Sequence, residues 1–239
     1  MQNPEDRIIL VDKPAGISSF GAVAKVRKKL RDEFGKKVKV GHTGTLDPFA
    51  TGLLILLSGK MTKKSNEFLK LDKEYVAELK LGYTSTTGDP EGEIQEYFSL
   101  GDRGGCCRAI AAEPREDGRE DRDPKQNILE STLRSFIGKI TQTPPKFSAI
   151  KINGERAYKL ARAGKDFTVP SREVTIYNIE VLEYNYPMLK IRCEVSSGTY
   201  IRTLAEDIGK KLGTGAYLTS LRRTKIGNYD VKDAIINLC

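Results

Sequence analysis

The chain of 239 residues has no tryptophan, a single histidine and four cysteines, and it contains no long hydrophobic run. Its longest aliphatic stretch, residues 53–57, is far shorter than the ~20 residues that a membrane-spanning helix needs. The N-terminus has neither a basic nor an apolar segment, so we expect no secretory signal. The cysteines show no CxxC spacing and His42 has no second histidine, which excludes a Cys/His zinc site. We therefore expect a cytoplasmic protein with reduced thiols.

Acidic residues are also in the minority. The chain has 40 Lys and Arg against 32 Asp and Glu, which gives a net charge of +8 and a pI of about 9.2. An excess of this size is typical of proteins with a polyanionic partner, most often nucleic acid. An ordinary basic surface remains the alternative at this point.

The hydrophobic pattern alternates between helical and strand periods. After Ser18 and Ser19, apolar residues recur at steps of three and four until Gly35, which predicts a capped helix. A second helical face follows Thr199 and ends at Gly213. Strand patterns occupy residues 8–12, 74–83, 176–184, 189–195 and 221–229. This mixture predicts an α+β fold around a large, mostly antiparallel sheet flanked by helices.

One segment has a different composition. Residues 99–125 contain no aromatic side chain, and from residue 102 onward seven acids and six bases are mixed with Gly and Pro. Such a sequence buries too little apolar surface to order itself. We predict a flexible, charged surface loop.

The sequence GHTGTLDPFATG at residues 41–52 is the segment most suggestive of chemistry. Its Gly and Pro residues fix an irregular backbone, and Asp47 is its single carboxylate. Taken alone, Asp47 fits a structural Asx-turn or helix cap, as most loop aspartates do.

Three other residues change this interpretation. Tyr75 begins a predicted strand, and Tyr200 and Arg202 are two positions apart. If residues 196–203 are extended, Tyr200 and Arg202 point to the same face of the sheet. An arginine beside Asp47 would keep it ionised, and two tyrosines could stack on a base. This set suits work on an extruded nucleobase.

The motifs together resemble the TruB family of tRNA pseudouridine synthases. Residues 12–19 resemble the N-terminal motif of the family, and residues 41–52 resemble its catalytic motif. The further matches, in chain order, are residues 73–75, 142–164, 198–204 and 221–223. The matches follow one another over nearly the whole chain, which makes chance resemblance negligible.

The resemblance implies roles for individual residues. Asp47 would be the catalytic nucleophile, although the sequence leaves open whether it attacks the base or the sugar. His42 would hold the RNA by stacking, or alternatively would only stabilise its loop. Tyr75 would stack on the uracil and could transfer a proton, and Arg202 would pair with Asp47. Tyr200 and Leu221 would line the uracil pocket.

The resemblance also implies an organisation and a partner. Residues 1–239 would form one catalytic domain of the pseudouridine synthase fold, with a thumb segment at residues 142–165 that grips the T-arm of tRNA. The substrate would be uridine 55 in the T-loop, and the isomerisation requires no cofactor and no metal. We expect a monomer with no obligatory protein partner and no membrane association. Candidates for phosphate contact are Lys60, Lys63, Lys64, Lys151, Arg156, Lys159, Arg162, Lys165, Arg222 and Arg223.

Bacterial members usually continue into a C-terminal PUA domain, whereas this chain ends at Cys239. We expect no PUA domain, because the member is either minimal or truncated. Two functional alternatives remain. One is a guide-dependent RNA pseudouridine synthase of the Cbf5/dyskerin type, and the other is a non-catalytic module that binds or folds tRNA.

Overall fold

The structure, a computed structural model, describes residues 3–97 and 126–237. The predicted loop at residues 99–125 lies outside the described residues. The described chain divides into two compact units. Unit 1 contains residues 3–76, 194–198 and 221–237, and unit 2 contains residues 77–97, 126–193 and 199–220.

Five α-helices lie in the described residues, together with two short 3₁₀ helices at Gly59–Lys64 and Val231–Asp233. The α-helices are α1 (Ser19–Phe34), α2 (Ser65–Leu69), α3 (Gln126–Arg134), α4 (Ala157–Arg162) and α5 (Ile201–Leu212). In this part of the chain, every helix is too short or too polar to cross a lipid bilayer.

The strands of unit 1 are β1 (Ile8–Lys13), β2 (Val40–His42), β3 (Thr51–Ser58), β13 (Tyr229–Asp230) and β14 (Ile236–Asn237). Three strands run through both units: β4 (Lys73–Leu81), β11 (Met188–Val195) and β12 (Ala216–Ile226). The remaining strands are β5 (Tyr83–Ser85), β6 (Ile94–Glu96), β7 (Gly138–Gln142), β8 (Lys151–Ile152), β9 (Glu155–Arg156) and β10 (Arg172–Asn185).

The main sheet is mixed. Unit 1 has the strand order β14-β1-β3-β12-β4, and unit 2 has the order β12-β4-β11-β10-β7. Strand β3 is antiparallel to β1 and β2 and parallel to β12, and β10 is antiparallel to β7. The prediction of an α+β fold with a large, mostly antiparallel sheet is confirmed.

Strand β3 explains the aliphatic run at residues 53–57. Leu54 and Leu56 face one core with the buried side of α1, whereas Leu53, Ile55 and Leu57 face a second core. A strand that is covered on both faces has no polar side, so its sequence is continuously hydrophobic. This strand, buried on both faces, anchors the C-terminal end of the segment at residues 41–52.

Helix α1 confirms its predicted limits. The Ser18 side chain accepts a hydrogen bond from the Gly21 backbone N–H, and Gly35 ends the helix in the left-handed conformation, at φ 66°. The buried residues of the helix are Ser19, Ala22, Val23, Val26 and Leu30.

Some predicted boundaries were wrong. The strand predicted at residues 74–83 ends at Leu81, because Gly82 has a φ of +81° and starts a bend before β5. The last strand begins at Ala216 rather than Leu221, and Gly227, at φ +53°, separates β12 from β13. In both places a glycine with positive φ ends the extended backbone.

Candidate active site

Asp47 lies in the loop of residues 43–50, between β2 and β3 of unit 1. The buried hydroxyl of Ser19 forms hydrogen bonds with both the N–H and the carbonyl group of the neighbouring residue Leu46. The Leu46 N–H donates to Ser19 Oγ at 2.8 Å, and Ser19 Oγ donates to the Leu46 carbonyl at 2.9 Å. The first turn of α1 therefore fixes the backbone on one side of the carboxylate.

Lys13 fixes the other side. Its ammonium group is fully buried and donates to the carbonyl oxygens of Pro14 and Ile17 at 2.8 Å and to that of Pro48 at 3.3 Å. The Gly16 N–H also donates to the Pro48 carbonyl, at 2.9 Å. Lys13 thus connects the end of β1 to the residue after Asp47, and the Asp47 side chain remains half-exposed.

Arg223 of β12 supports the beginning of the same loop. Its side chain is buried and donates to the carbonyl of Leu53 at 2.8 Å, of Gly44 at 3.3 Å and of Thr45 at 3.4 Å. Gly52 pairs with Arg223, and a Cβ at Gly52 would lie 2.2 Å from the Arg223 carbonyl oxygen. A buried arginine and a glycine therefore hold the loop against β12.

His42 ends strand β2, directly before the loop. Its ring lies edge-to-face with the ring of Phe20, with centroids 5.0 Å apart and an interplanar angle of 85°. The Gly44 N–H donates to His42 Nδ1 at 3.4 Å. The imidazole is half-exposed at the surface of unit 1, while Phe20 is 71% exposed.

Tyr75 and Leu221 are buried positions of β4 and β12 in unit 1. Glu74 fixes the register of the two strands beside them. Its carboxylate accepts a hydrogen bond from Thr224 Oγ1 at 2.6 Å and pairs with Lys225 Nζ at 3.1 Å. This contact raises the pKa of Lys225.

Lys73 begins β4 and is buried. Its Nζ donates to the carbonyl oxygens of Leu69 at 2.7 Å and Leu71 at 2.5 Å. Burial, together with the positive charge of Arg223, lowers the pKa of Lys73 from 10.5 to about 8.

Tyr200 lies in unit 2, in extended backbone directly before α5. The buried Gln142 holds its backbone on both sides: the Tyr200 N–H donates to Gln142 Oε1 at 2.8 Å, and Gln142 Nε2 donates to the Tyr200 carbonyl at 3.0 Å. The Arg172 guanidinium lies 4.9 Å from the centroid of the Tyr200 ring.

Arg202 corrects a sequence-based expectation. Residues 196–203 are not extended throughout, because α5 begins at Ile201 and places Arg202 in its first turn. The side chain is buried and pairs with Asp89 at 3.2 Å. It also donates to the carbonyl oxygens of Thr87 at 3.0 Å and Phe147 at 2.9 Å. The predicted alternation of Tyr200 and Arg202 on one sheet face was therefore wrong.

The predicted thumb, residues 142–165, is a small hairpin followed by a helix in unit 2. Strands β8 and β9 turn at Asn153 and Gly154, which both have positive φ, and α4 follows. The Ala157 N–H donates to the Ile150 carbonyl at 2.8 Å and joins the helix to the hairpin. A cavity of about 300 Å³ lies on this segment. It is lined by Ile152, Asn153, Glu155, Leu160, Lys165, Asp166 and Phe167.

The structure corrects part of the set of phosphate-contact candidates. Arg223 is buried against the loop carbonyls, so it is a structural residue rather than a phosphate ligand. Arg222 is half-buried and forms a two-bond pair with Asp12, at 2.7 and 3.1 Å. The other candidates are exposed. They are Lys60, Lys63, Lys64, Lys151, Arg156, Lys159, Arg162 and Lys165.

The sequence does not reveal the structural roles of four residues in and around these sites. Ser19 fits a helix cap in the sequence, whereas its hydroxyl bonds to the Leu46 backbone in the structure, and no sequence pattern indicates that the Phe20 ring is exposed. Gln142 and Asp89 act over 58 and 113 residues of sequence, so no local pattern could reveal their partners. The Gly-Asp-Pro turn at residues 88–90 was the available signal for Asp89.

Within residues 3–97 and 126–237, no three His, Cys, Asp or Glu side chains are grouped as metal ligands would be.

The sequence matches two family models. The TruB family pseudouridylate synthase N-terminal domain matches residues 28–102 and 110–201, and the tRNA pseudouridylate synthase B C-terminal domain matches residues 202–238. The chain is 43% identical to tRNA pseudouridine synthase B of Flavobacterium johnsoniae over 97% of this chain and 93% of that protein. It is 42% identical to tRNA pseudouridine synthase B of Phocaeicola vulgatus over 98% and 92%.

Solved structures agree with this assignment. A Cbf5-Nop10-Gar1 complex matches with a TM-score of 0.68 and 29% identity, over 98% of this chain and 53% of that one. An H/ACA RNP bound to a substrate RNA containing 2′-deoxyuridine matches with a TM-score of 0.64 and 26% identity, over 100% and 57%. This chain therefore spans about half the length of these structural neighbours. The family models cover most of the chain, and their matches include the anchored loop around Asp47: the chain belongs to the TruB family of pseudouridylate synthases.

Proposed function

We propose that the chain is a tRNA pseudouridine synthase that isomerises the T-loop uridine, position 55, with Asp47 as the nucleophile. The observation that carries this proposal is the anchoring of both neighbours of Asp47, by Ser19 on one side and by Lys13 on the other. A half-exposed carboxylate on a fixed backbone is suited to attack a substrate that is brought to it.

The reaction itself conserves all atoms. The N1–C1′ glycosidic bond breaks, a C5–C1′ bond forms, and the proton lost from C5 is balanced by one gained at N1. The step involves no redox change and no phosphoryl transfer. What the protein must supply is an extruded base, a nucleophile and a group that moves one proton.

The remaining site residues receive roles that follow from the family resemblance. Tyr75 would stack on the uracil and serve as the proton-transfer group, and Leu221 and Tyr200 would line the uracil pocket. By the same resemblance, Arg202 would pair with Asp47 in addition to Asp89 and would favour the ionised form of the Asp47 carboxylate. His42 stacks on the RNA next to the extruded base, and its half-exposed position at the start of the loop supports this role.

The proposed partner is the T-arm of tRNA, gripped by the thumb at residues 142–165. The exposed basic residues of this thumb segment include Lys151, Arg156 and Lys159. We propose further that the protein acts in the cytoplasm as a monomer without an obligatory protein partner. Gel filtration with light scattering, with and without tRNA, measures the molar mass and so tests whether the protein is a monomer.

The decisive experiment compares wild type with Asp47→Asn on an unmodified tRNA transcript, with pseudouridine mapped by position. We expect product at the T-loop uridine with wild type, and a loss of at least ~10³-fold in rate with Asp47→Asn, because the amide is not a nucleophile. Asp233→Asn, which changes an exposed acid of unit 1, is the matched control and retains full activity. Wild-type protein that binds tRNA but forms no product contradicts the proposal.

Because the chain is structurally similar to Cbf5, a guide-dependent enzyme is the first alternative to test. A guide-dependent enzyme would modify an RNA only when a guide RNA is added, so the same assay includes an arm with a guide. A non-catalytic module would accelerate tRNA folding equally well with Asp47→Asn. Product formed from tRNA and protein alone excludes both alternatives as the sole function.

A further inference from the structure

Phe20 is unusually exposed for an aromatic residue in the first turn of a helix. Of the large apolar side chains in the described residues, only Ile235 is more exposed, at 81% against 71% for Phe20. A single exposed apolar side chain is ordinary on a protein surface. Its neighbours decide whether it has a function.

The first neighbour is His42. Helix α1 and strand β2 lie side by side in unit 1, and the Arg27 guanidinium donates to the Val40 carbonyl across them at 3.2 Å. This packing places the Phe20 ring edge-to-face with the imidazole, at 5.0 Å and 85°. Two aromatic rings therefore stand together at the surface, directly before the loop that carries Asp47, and the edge-to-face arrangement is a favoured geometry for such a pair.

The second neighbour is a basic helix face. Phe20, Arg27, Lys28 and Arg31 follow helical spacings of seven, eight and eleven residues, and all four are exposed. Such positions lie on one side of the helix. A stacking ring at the end of a row of cations is the combination that single-stranded nucleic acid requires, since the ring contacts a base and the cations contact the phosphates.

We infer that Phe20 is an RNA-stacking residue, which receives an unpaired base of the substrate next to His42 while the basic face of α1 follows the adjoining phosphates. This inference rests on the proposed function and adds a contact to it. Phe20 does not act through His42 alone, because an exposed ring contributes a stacking surface of its own.

The test measures the dissociation constant of tRNA in an Asp47→Asn background, where turnover is absent. Phe20→Ala removes the ring, Phe20→Leu keeps apolar bulk without a π-face, and Phe20→Tyr keeps the ring. We expect Phe20→Ala and Phe20→Leu to weaken binding by about 5- to 150-fold, and Phe20→Tyr to stay within about twofold. Ile235→Ala, at a more exposed apolar position, is the control and leaves the affinity unchanged.

A second comparison separates a direct contact from an effect through His42. If Phe20 only orients the imidazole, Phe20→Ala causes no further loss in a His42→Ala background. We expect a further loss of at least about threefold. Because Phe20 is 71% exposed, the melting temperatures of all variants should remain close to that of the parent.

Three results would overturn the inference. They are Phe20→Leu binding tRNA as tightly as the parent, no added effect of Phe20→Ala in the His42→Ala background, and an equal loss with Ile235→Ala. Parallel assays with Asp47 intact show whether the proposed function itself fails. A wild type that forms no pseudouridine overturns both, whereas an active wild type with an unaffected Phe20→Ala variant overturns this inference alone.

Discussion

Gly52 is the residue at which the loop meets strand β12. Its φ is +103°, and an added Cβ would lie 2.2 Å from the Arg223 carbonyl oxygen and 2.8 Å from the Arg223 nitrogen. Both obstacles are backbone atoms of a paired strand, so they cannot move aside as the end of a flexible side chain can. Gly16 also has a positive φ, +83°, but open space surrounds its Cβ position.

These two glycines form a matched pair for a stability test. Gly16→Ala should cost about 1–2 kcal/mol from backbone strain alone. Gly52→Ala adds a clash with fixed backbone and should cost at least ~3 kcal/mol, or about 6–12 °C in melting temperature. Thermal unfolding followed by circular dichroism compares them. Equal melting temperatures for the two variants would contradict the role assigned to the contact with Arg223.

Lys73 predicts a pH effect. Its pKa is lowered to about 8 by burial in the folded chain, whereas the unfolded chain retains the ordinary value near 10.5. Between these values the unfolded state binds the extra proton, so raising the pH through this window favours folding. Relative to Lys73→Met, the free energy of unfolding of wild type should rise by about 1–2 kcal/mol between pH 7.5 and pH 10, less than the full pKa shift implies, because the carbonyl oxygens of Leu69 and Leu71 partly replace water around the ammonium group. Urea unfolding measures this gain.

The control for this pH effect is Lys70→Met, which changes an exposed lysine in the same region. Its stability difference from wild type should not vary between pH 7.5 and pH 10. A constant difference for Lys73→Met as well would show that Lys73 titrates normally in the folded protein.

At the scale of elements, helix α5 begins where Gln142 grips Tyr200. The contact joins the end of β7 to the residue before the helix, so it sets both the start of α5 and the position of the tyrosine. The Tyr200 carbonyl also accepts from the Leu204 N–H at 3.0 Å, as the first bond of the helix. The Tyr200 N–H, in contrast, has Gln142 as its acceptor.

Gln142→Leu tests this connection. The substitution leaves the Tyr200 N–H without the Gln142 acceptor and should cost about 2 kcal/mol, or about 4–8 °C. Because Tyr200 is proposed to line the uracil pocket, kcat/KM for tRNA should fall by at least ~10-fold at temperatures where the variant is folded. Gln95→Leu, an exposed glutamine of β6, should change neither quantity. Normal kinetics in a destabilised Gln142→Leu would limit Gln142 to a role in stability.

Elements were easier to predict than contacts. Helix α1 follows from local signals, since Ser18, its apolar spacing and Gly35 all lie within one segment. Arg202 was misplaced because an extended N-cap residue and a helical residue adjoin there, and alternation cannot continue across that junction. Arg223 was interpreted as a surface base because its burial depends on carbonyl groups about 170 to 179 residues away. When a buried charged side chain has its hydrogen-bond partners far away in the sequence, no periodic pattern around that residue indicates its burial.

At the scale of the whole molecule, the net charge of +8 should govern the affinity for tRNA. The logarithm of the association constant falls by about 0.7 per single-strand phosphate contact for each tenfold increase in salt. With about five contacts, the affinity should fall ~100-fold between 50 and 200 mM salt. Lys63→Ala and Lys64→Ala should each reduce the slope by about 0.7. Filter binding over a salt series checks this, and an affinity that is independent of salt would contradict it.

The anchoring of the Asp47 loop has a consequence for how binding energy is used. Many enzymes order a mobile loop around the substrate and lose part of the interaction energy to that ordering. Here Ser19, Lys13 and Arg223 hold the backbone in place through contacts within the protein itself. The free energy of the RNA contacts is then available to pull a uridine out of its stack. Selectivity for tRNA would accordingly depend on how readily the nucleotide leaves its own loop.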